Sequence, residues 1–473
     1  MRNHRPVEEI EITVDSIGFE GVSVGRINNL VHFVSGALPG ETVRARITGS
    51  KKKFKQAEAI EILVASPSRV EAPCPHFGTC GGCKWQHLVY ADQATWKRQH
   101  VIDAFERLAQ IPVGQVNPTL TSPLAYNYRN KMEFSFGGSQ WLTRDEIESG
   151  DEFDTSFALG LHVPGRFDKV RNVDHCLLQS DVGNTVLAHT HVCVQQHGIT
   201  AYHQRLHSGF ARHLVVRTSA AMGTVMSVLI TTTPTEKKHT AFIDEWLSLH
   251  STLPEGSSMI HAVLDSHSPV AVGEIQRCIG PGYLDEISHG ITYRISPFSF
   301  FQTNTHHLPA LVNEAMQGAH ISETDVVWDL YCGTGTLTLP AAKLARIVVG
   351  AELSAGSIAD AKANAERNGI TNVEFHTVDL HHHSAQAVLE SLPKPDVIMI
   401  DPPRNGMHEQ VIQHLLAVGA ERIVYVSCNP ATMARDCAML AEMYSVDSIT
   451  PVDMFPQTFH VEAVGVLTKK HFS

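Results

Sequence analysis

Residues 326–353, VVWDLYCGTGTLTLPAAKLARIVVGAEL, place two apolar strand-like runs on either side of a glycine turn and a short helix-forming stretch. The runs are apolar on consecutive residues, as in strands covered on both faces, and not alternating as in a strand with one wet face. Downstream the alternation continues through AGSIADAKANAERNG, VEFHTVD, DVIMIDPP, HEQVIQHLLAVG, RIVYVSC and ATMARDCAMLAEM. It closes on a pair of strands around SVDSITPVDM and HVEAVGVLTK. Residues 291–473 are therefore expected to form a doubly wound α/β domain, with its ligands at the carboxyl ends of the parallel strands.

The residues expected at those ends carry chemistry. The glycine-bearing turn Tyr331–Thr336 lets backbone approach a ligand. Glu352 ends the second strand, 21 residues beyond Tyr331, where a carboxylate can bind both ribose hydroxyls. Asp379 ends the third strand, within reach of an adenine amino group. No Lys-Ser/Thr pair follows the glycines, which argues against a triphosphate. S-adenosylmethionine, with a ribose, an adenine, a sulfonium and no phosphate, fits the pattern. The fourth strand ends in Asp401-Pro402-Pro403-Arg404, a proline-stiffened lip.

Cys428, in the turn after RIVYVS, narrows the reaction. Carbon 5 of uracil is a poor nucleophile until a thiolate adds at carbon 6, and a cysteine near neutral pH is already a few per cent thiolate. After methylation the proton on carbon 5 must leave, which calls for a base. Glu462, at the start of the last apolar strand, stands where one is needed.

Upstream, residues 1–66 read as five short β runs separated by Gly, Asn and Pro-Gly turns, the pattern of a small oligonucleotide-binding-type barrel. The chain of 473 residues carries a net charge of −12, yet residues 1–70 hold 10 basic and 8 acidic groups, with Lys51, Lys52, Lys53 and Lys55 crowded in one turn. Any grip on RNA is therefore local. Residues 67–290 read as a mixed α+β segment. It opens on CPHFGTCGGC, with Cys74, Cys80 and Cys83; Cys176 comes much later. Four thiolates suit an iron–sulfur cluster or zinc, and His76 and His175 keep zinc in play. Cys193, Cys278, Cys332 and Cys437 read as packing residues, and the 29 histidines, including the run His381–His383, as solvated surface. No apolar secretion signal or membrane span is apparent, which places the protein in the cytoplasm.

In order, Phe300-Phe301-Gln302-Thr303-Asn304, DLYCGTGT, DPPRNG, SCNPATMARD and FHVE resemble the RNA uracil-5-methyltransferase family, and within it the enzymes of bacterial large-subunit rRNA. The resemblance implies Cys428 as nucleophile and Glu462 as base. It implies Gln302, Tyr331, Glu352 and Asp401 as S-adenosylmethionine contacts, with Asp379 at a further cofactor-side position. Thr336 stands where relatives often carry Asn. It also implies a 4Fe–4S cluster on Cys74, Cys80, Cys83 and Cys176, an N-terminal TRAM barrel that binds RNA, and packing of the helix around residues 86–117 with the catalytic domain although it precedes the β-rich part of the middle segment. From Tyr128-Arg129-Asn130-Lys131-Met132-Glu133, Arg129 and Lys131 are expected to touch RNA. RNA cytosine-5-methyltransferases typically carry a second cysteine in the fourth-strand motif, where this chain has Pro402 and Pro403. The expected partner is 23S rRNA. A tRNA uridine is the alternative substrate, and an RNA-binding iron–sulfur redox sensor the alternative of another class.

Overall fold

The computed structural model describes residues 8–382 and 385–471; His383 of the histidine run lies outside them. Strands β1 (Glu9–Ile17), β2 (Ser23–Ile27), β3 (Leu30–Ser35), β4 (Thr42–Ser50) and β5 (Phe54–Val64) close into a barrel in the order β1-β2-β3-β5-β4. Along β1 the apolar residues alternate with charged ones, so Ile12 and Val14 point inward to meet Val34, Val43 and Ala45. Closure leaves no free edge along which another chain could pair.

A second sheet of seven strands is built from β7 (Lys131–Gly137), β8 (Ala158–Val163), β9 (Arg166–Asn172), β10 (Ala211–Thr218), β11 (Val225–Thr231), β12 (Ser258–Val263) and β13 (Glu274–Ile279). Its order is β13-β12-β11-β10-β7-β8-β9. One face buries Phe134, Leu214 and Leu229 with Phe242 and Trp246 of the helix Lys237–Ser248. On the other face Val215, Val228 and Ile260 join a core shared with the hairpin β14 (Leu284–Ser288)–β15 (Ile291–Ile295) and with the C-terminal sheet.

That C-terminal sheet has eight strands in the order β18-β17-β16-β19-β20-β22-β21-β6. They are β16 (Val326–Leu330), β17 (Ile347–Glu352), β18 (Val373–Thr377), β19 (Val397–Ile400), β20 (Arg422–Ser427), β21 (Tyr444–Val452) and β22 (Glu462–Lys469), with β6 (Val113–Val116) on the outer edge. Strands β16 to β20 pair in parallel, so their carboxyl ends share one edge, and β22 runs antiparallel against β20. Both β6 and the helix Tyr90–Ala104 precede the seven-stranded sheet in sequence, yet they pack with the C-terminal sheet. Lys97 of that helix is fully buried against Asp453, also fully buried, and donates to the carbonyl of Phe455 at 3.0 Å. A buried pair of this kind is costly to break from one side, so it fixes the loop that leads into β22.

Two expectations need correction. Cys278 lies exposed on β13, an edge strand, and is no packing residue, whereas Cys193, Cys332 and Cys437 are buried. Several histidines, among them His76, His87, His100, His213, His261 and His307, are buried, so the 29 histidines are not all solvated surface, although His381 and His382 are exposed. Desolvation disfavours their charged form and holds His100, His213 and His261 down at about 4.

Candidate active site

The parallel strands deliver their last residues to one edge. After β16 the chain turns at Tyr331, whose φ of +64° is left-handed, and continues through Gly333 and Gly335. A side chain at Gly335 would press on Leu339, so the turn hugs the short helix Thr338–Ala342. A non-glycine residue held in this conformation is strained, and such strain clusters at ligand sites. Across the turn Glu352 accepts from the Gly333 amide at 3.3 Å and the Ser354 amide at 2.8 Å, which ties the second strand end to the first. Asp379 is exposed just beyond β18 and accepts from the His381 amide at 3.0 Å. The Tyr331 hydroxyl lies 3.4 Å from the same histidine.

Asp329 was not singled out from the sequence. It is buried below the turn, accepts from the Thr338 hydroxyl at 2.5 Å, and leaves its other oxygen without a partner. Burial pushes its carboxyl up to about 7, and the charges of Asp401 and Glu352 add to the shift. The cue was present, since Asp329 is the charged residue inside an otherwise apolar strand. A strand acid directly before a glycine turn is charge-poised for a cationic ligand.

Gln302 reaches the fourth strand end, with its side-chain nitrogen 3.5 Å from an oxygen of Asp401. It is held from behind by Asn130, whose side chain donates to the Gln302 carbonyl at 2.9 Å. Arg129 and Lys131 flank that asparagine. Lys131 is paired with Glu133, and the Arg129 Nε donates to the Lys131 carbonyl at 3.0 Å, so both cations have intramolecular partners.

The lip after Asp401 is clamped to the turn that bears Cys428. Asn429 donates to the Arg404 carbonyl at 3.0 Å while capping the helix Pro430–Leu440 through the Ala431 amide. Arg435 donates to the Asn405 carbonyl at 2.9 Å, and Asp436 accepts from the Met407 amide at 2.8 Å. Gly406 makes this possible: any Cβ there would fall 2.6 Å from both Arg435 and Asp436. The antiparallel register ends on Ser427 opposite Ala463, so the next residue beyond each, Cys428 and Glu462, falls at the same end of the two strands.

Glu462 is buried and one of its oxygens is unpartnered. Burial raises its carboxyl to about 8, Asp401 pushes the same way, and Arg404 opposes. Burial likewise raises Asp401 to about 7. The Cys428 thiol is pushed up to about 12, first by burial and then by Glu462 and Asp401, again against Arg404. The few-per-cent thiolate expected of a free cysteine is thus not what this site supplies; in the protein alone the thiol keeps its proton. Arg404 opposes the effect of burial at Cys428 and Glu462, and at the half-buried imidazole of His460 it adds to burial in holding the ring neutral.

Elsewhere, Cys74, Cys80, Cys83 and Cys176 line one small cavity with His76 and His175. Burial raises Cys80 to about 11 and Cys83 to about 12, with the neighbouring thiols adding to the shift. Among the described residues no group of three or more His, Cys, Asp and Glu side chains is close enough to hold a single metal ion. Four thiols lining one cavity are nonetheless, by their chemistry, a donor set that suits a cationic inorganic group.

A largely parallel open sheet with a glycine turn, acids at or just beyond the ends of β17 and β18 and a buried unpartnered carboxylate oxygen beneath suits S-adenosylmethionine and the class of methyltransferases that use it. Comparison narrows the class. The tRNA (Uracil-5-)-methyltransferase family matches residues 283–471, and the TRAM domain family matches residues 4–60. An uncharacterised RNA methyltransferase of Chlorobaculum tepidum is 38% identical over 470 residues, covering 98% of this chain and 96% of its own. Another from Bacteroides thetaiotaomicron is 36% identical over 450 residues, covering 95% and 99%. The chain belongs to the RNA uracil-5-methyltransferase family. The structure of a Pyrococcus abyssi tRNA (uracil-54, C5)-methyltransferase in complex with S-adenosyl-L-homocysteine superposes with a TM-score of 0.73 at 26% identity, over 97% of this chain and all of that one.

Proposed function

We propose that the protein methylates carbon 5 of a specific uridine in 23S rRNA through a transient bond between Cys428 and carbon 6 of the base. The observation that carries the reading is that Cys428 feels the charge of Glu462, whose buried carboxylate leaves one oxygen unpartnered, at the edge where the glycine turn and Asp401 converge. S-adenosylmethionine, when bound, supplies an electrophilic methyl group. Glu352 and Asp379 suit its ribose and adenine, and Gln302, Tyr331 and Asp401 line its approach.

The Cys428 sulfur gives up its proton to solvent and adds to carbon 6, leaving an enolate whose carbon 5 takes the methyl group, with S-adenosylhomocysteine as the leaving group. Glu462 in its ionised form then takes the proton from carbon 5, and the carbon–sulfur bond breaks to restore the ring and release a thiolate, which regains a proton from solvent. Because Cys428 holds its proton in the protein alone, the attacking sulfur must be unmasked as the site fills. Positive charge brought beside Asp401, together with Arg404, acts in that direction. The target base must leave its stack, at a cost of a few kcal/mol that contacts elsewhere offset. The barrel, with Lys51, Lys52 and Lys53 exposed in one turn, suits that task.

A 4Fe–4S cluster on Cys74, Cys80, Cys83 and Cys176 would supply the cationic iron that holds four thiolates at that cavity, in a structural or RNA-facing role. No helix among the described residues is long and apolar enough to cross a membrane, in keeping with a cytoplasmic site of action.

A tRNA uridine is the second reading. The tRNA enzyme of Pyrococcus abyssi aligns along nearly the whole chain, so overall architecture does not by itself separate the two RNAs. Mass mapping of methylated uridines after incubation with 23S rRNA and tRNA transcripts decides. A single 5-methyluridine in rRNA is expected; methylation confined to tRNA would replace the substrate, and none in either would overturn the reading.

A further inference from the structure

The register of the seven-stranded sheet leads away from the active site. Asn130 holds Gln302, and β7 starts at the next residue. Lys131, Glu133 and Ser135 share one face of β7 and pair with Arg217, Val215 and His213 of β10. The near part of this face is anchored to the catalytic core, since Arg217 donates to the Ser299 carbonyl. A cavity of about 340 Å³ follows, bordered by Lys131, Glu133, Pro297 and Phe298. Beyond it lies a further cavity of about 260 Å³ at Ser135, His162, Lys169 and His213. From Asn130 to Ser135 the strand covers roughly 17 Å at the usual rise per residue.

The far cavity is a built polar site. His213 is 7% exposed, and its Nε2 is buried without a hydrogen-bond partner. Its desolvated ring stays neutral at physiological pH, so it offers a hydrogen bond without a charge. Beside it the Ser135 hydroxyl and His162 lie 3.1 Å apart. Arg212, also a lining residue, is spent on structure: its guanidinium donates to the carbonyls of Leu264, Ser266 and Ser268 and lies 4.1 Å from the Tyr202 ring centre. Lys169 and Arg205 add positive charge at the rim, with Asp168 the opposing acid, in a chain whose net charge is −12. An orphaned neutral hydrogen-bonding ring within a cationic rim is matched by a nucleotide, which pairs a base edge with a phosphate.

We propose that this cavity takes one nucleotide of the substrate RNA, a few positions from the methylated uridine. In it His213 and Ser135 read the base edge, and Lys169 faces the phosphate. The proposal rests on the RNA-methylating reading and adds a recognition site remote from the reacting atoms. Its occupant is continuous with the target strand because the two cavities and the Asn130–Gln302 contact lie along one strand.

The test is binding of 23S rRNA fragments by the full-length protein, with an abasic nucleotide walked along both flanks of the target uridine. For wild type, one flanking position should cost about ten-fold in affinity. His213→Gln should show a similar loss on intact RNA, and the abasic substitution at that position should then cost it nothing further. Lys169→Ala should weaken binding of all RNAs and lower the salt slope by about 0.7, one single-strand phosphate. S-adenosylmethionine affinity and the melting curve report whether each variant is folded. Additive losses, or an unchanged salt slope in Lys169→Ala, would overturn the site while wild-type methylation stands. Binding of inorganic phosphate alone, with no dependence on any base, would likewise reject it. If the wild-type protein methylates no RNA, the functional reading fails first and this proposal with it.

Discussion

Two sets of thiols in this molecule meet the same physics, and the proposed function puts them to opposite uses. Cys428 and, in the other group, Cys80, Cys83 and Cys176 are all pushed toward the protonated form, mainly by burial. Around those three, the neighbours that add to the shift are other thiols, so a positive group bound among them would relieve it. Around Cys428 the neighbours are Glu462, Asp401 and Arg404, charges that a ligand can rebalance. Burial by itself therefore does not mark a reactive cysteine; the ionisable company does.

The contrast can be broken at its strongest point first. Cys428→Ser should lower turnover by about 10⁴ or more while leaving S-adenosylmethionine affinity within a few-fold, as isothermal titration and single-turnover assays would show. Normal turnover in that variant would end the comparison. Glu462→Gln should slow release by roughly 10²–10⁴, and a covalent protein–RNA species should accumulate on denaturing gels. A slow variant that never traps RNA would move the base elsewhere.

On the other side, Cys80→Ala or Cys176→Ala should strip iron and lower the melting temperature without changing the alkylation of Cys428. Retained iron in both variants would dissolve the distinction between the two sets. The smallest effect concerns pH. Glu462 has a folded value raised to about 8, so the folded state holds its proton after the unfolded chain has lost it, and stability falls as pH rises from the ordinary carboxyl range through 8. Glu462→Gln should therefore melt a few degrees higher than wild type at pH 8 and little differently at pH 4. Equal melting at both would mean that the carboxyl is not strained.

The α/β architecture was legible because its strands are mostly apolar on consecutive residues, and the barrel because β1 alternates so regularly. The edge to search for a ligand followed, since parallel strands present their carboxyl ends as a crevice. What the sequence hid was everything set by contacts distant along the chain. Nothing in TWKRQH shows that Lys97 is sealed against Asp453, some 350 residues away, fixing the approach to Glu462. Histidine counts likewise give no hint that His213 sits unpartnered over a cavity. Asp329 was readable but looked like part of a strand, and Arg404 stood in plain view within DPPRNG. Its importance emerges only when Cys428, Glu462 and His460 are seen around it. The protonation of the Cys428 thiol was equally hidden, because burial and the acids at the ends of the two adjacent strands act on it.

The most direct measurement uses fluorouridine-substituted RNA, S-adenosylmethionine and the wild-type protein, followed by peptide mapping of any species that survives denaturation. Fluorine at carbon 5 blocks the final proton removal, so a stable adduct carried by the peptide containing Cys428 is expected, with the methyl group already on the base. An adduct on any other cysteine, or methylated RNA released with no bond to the protein, would contradict the account.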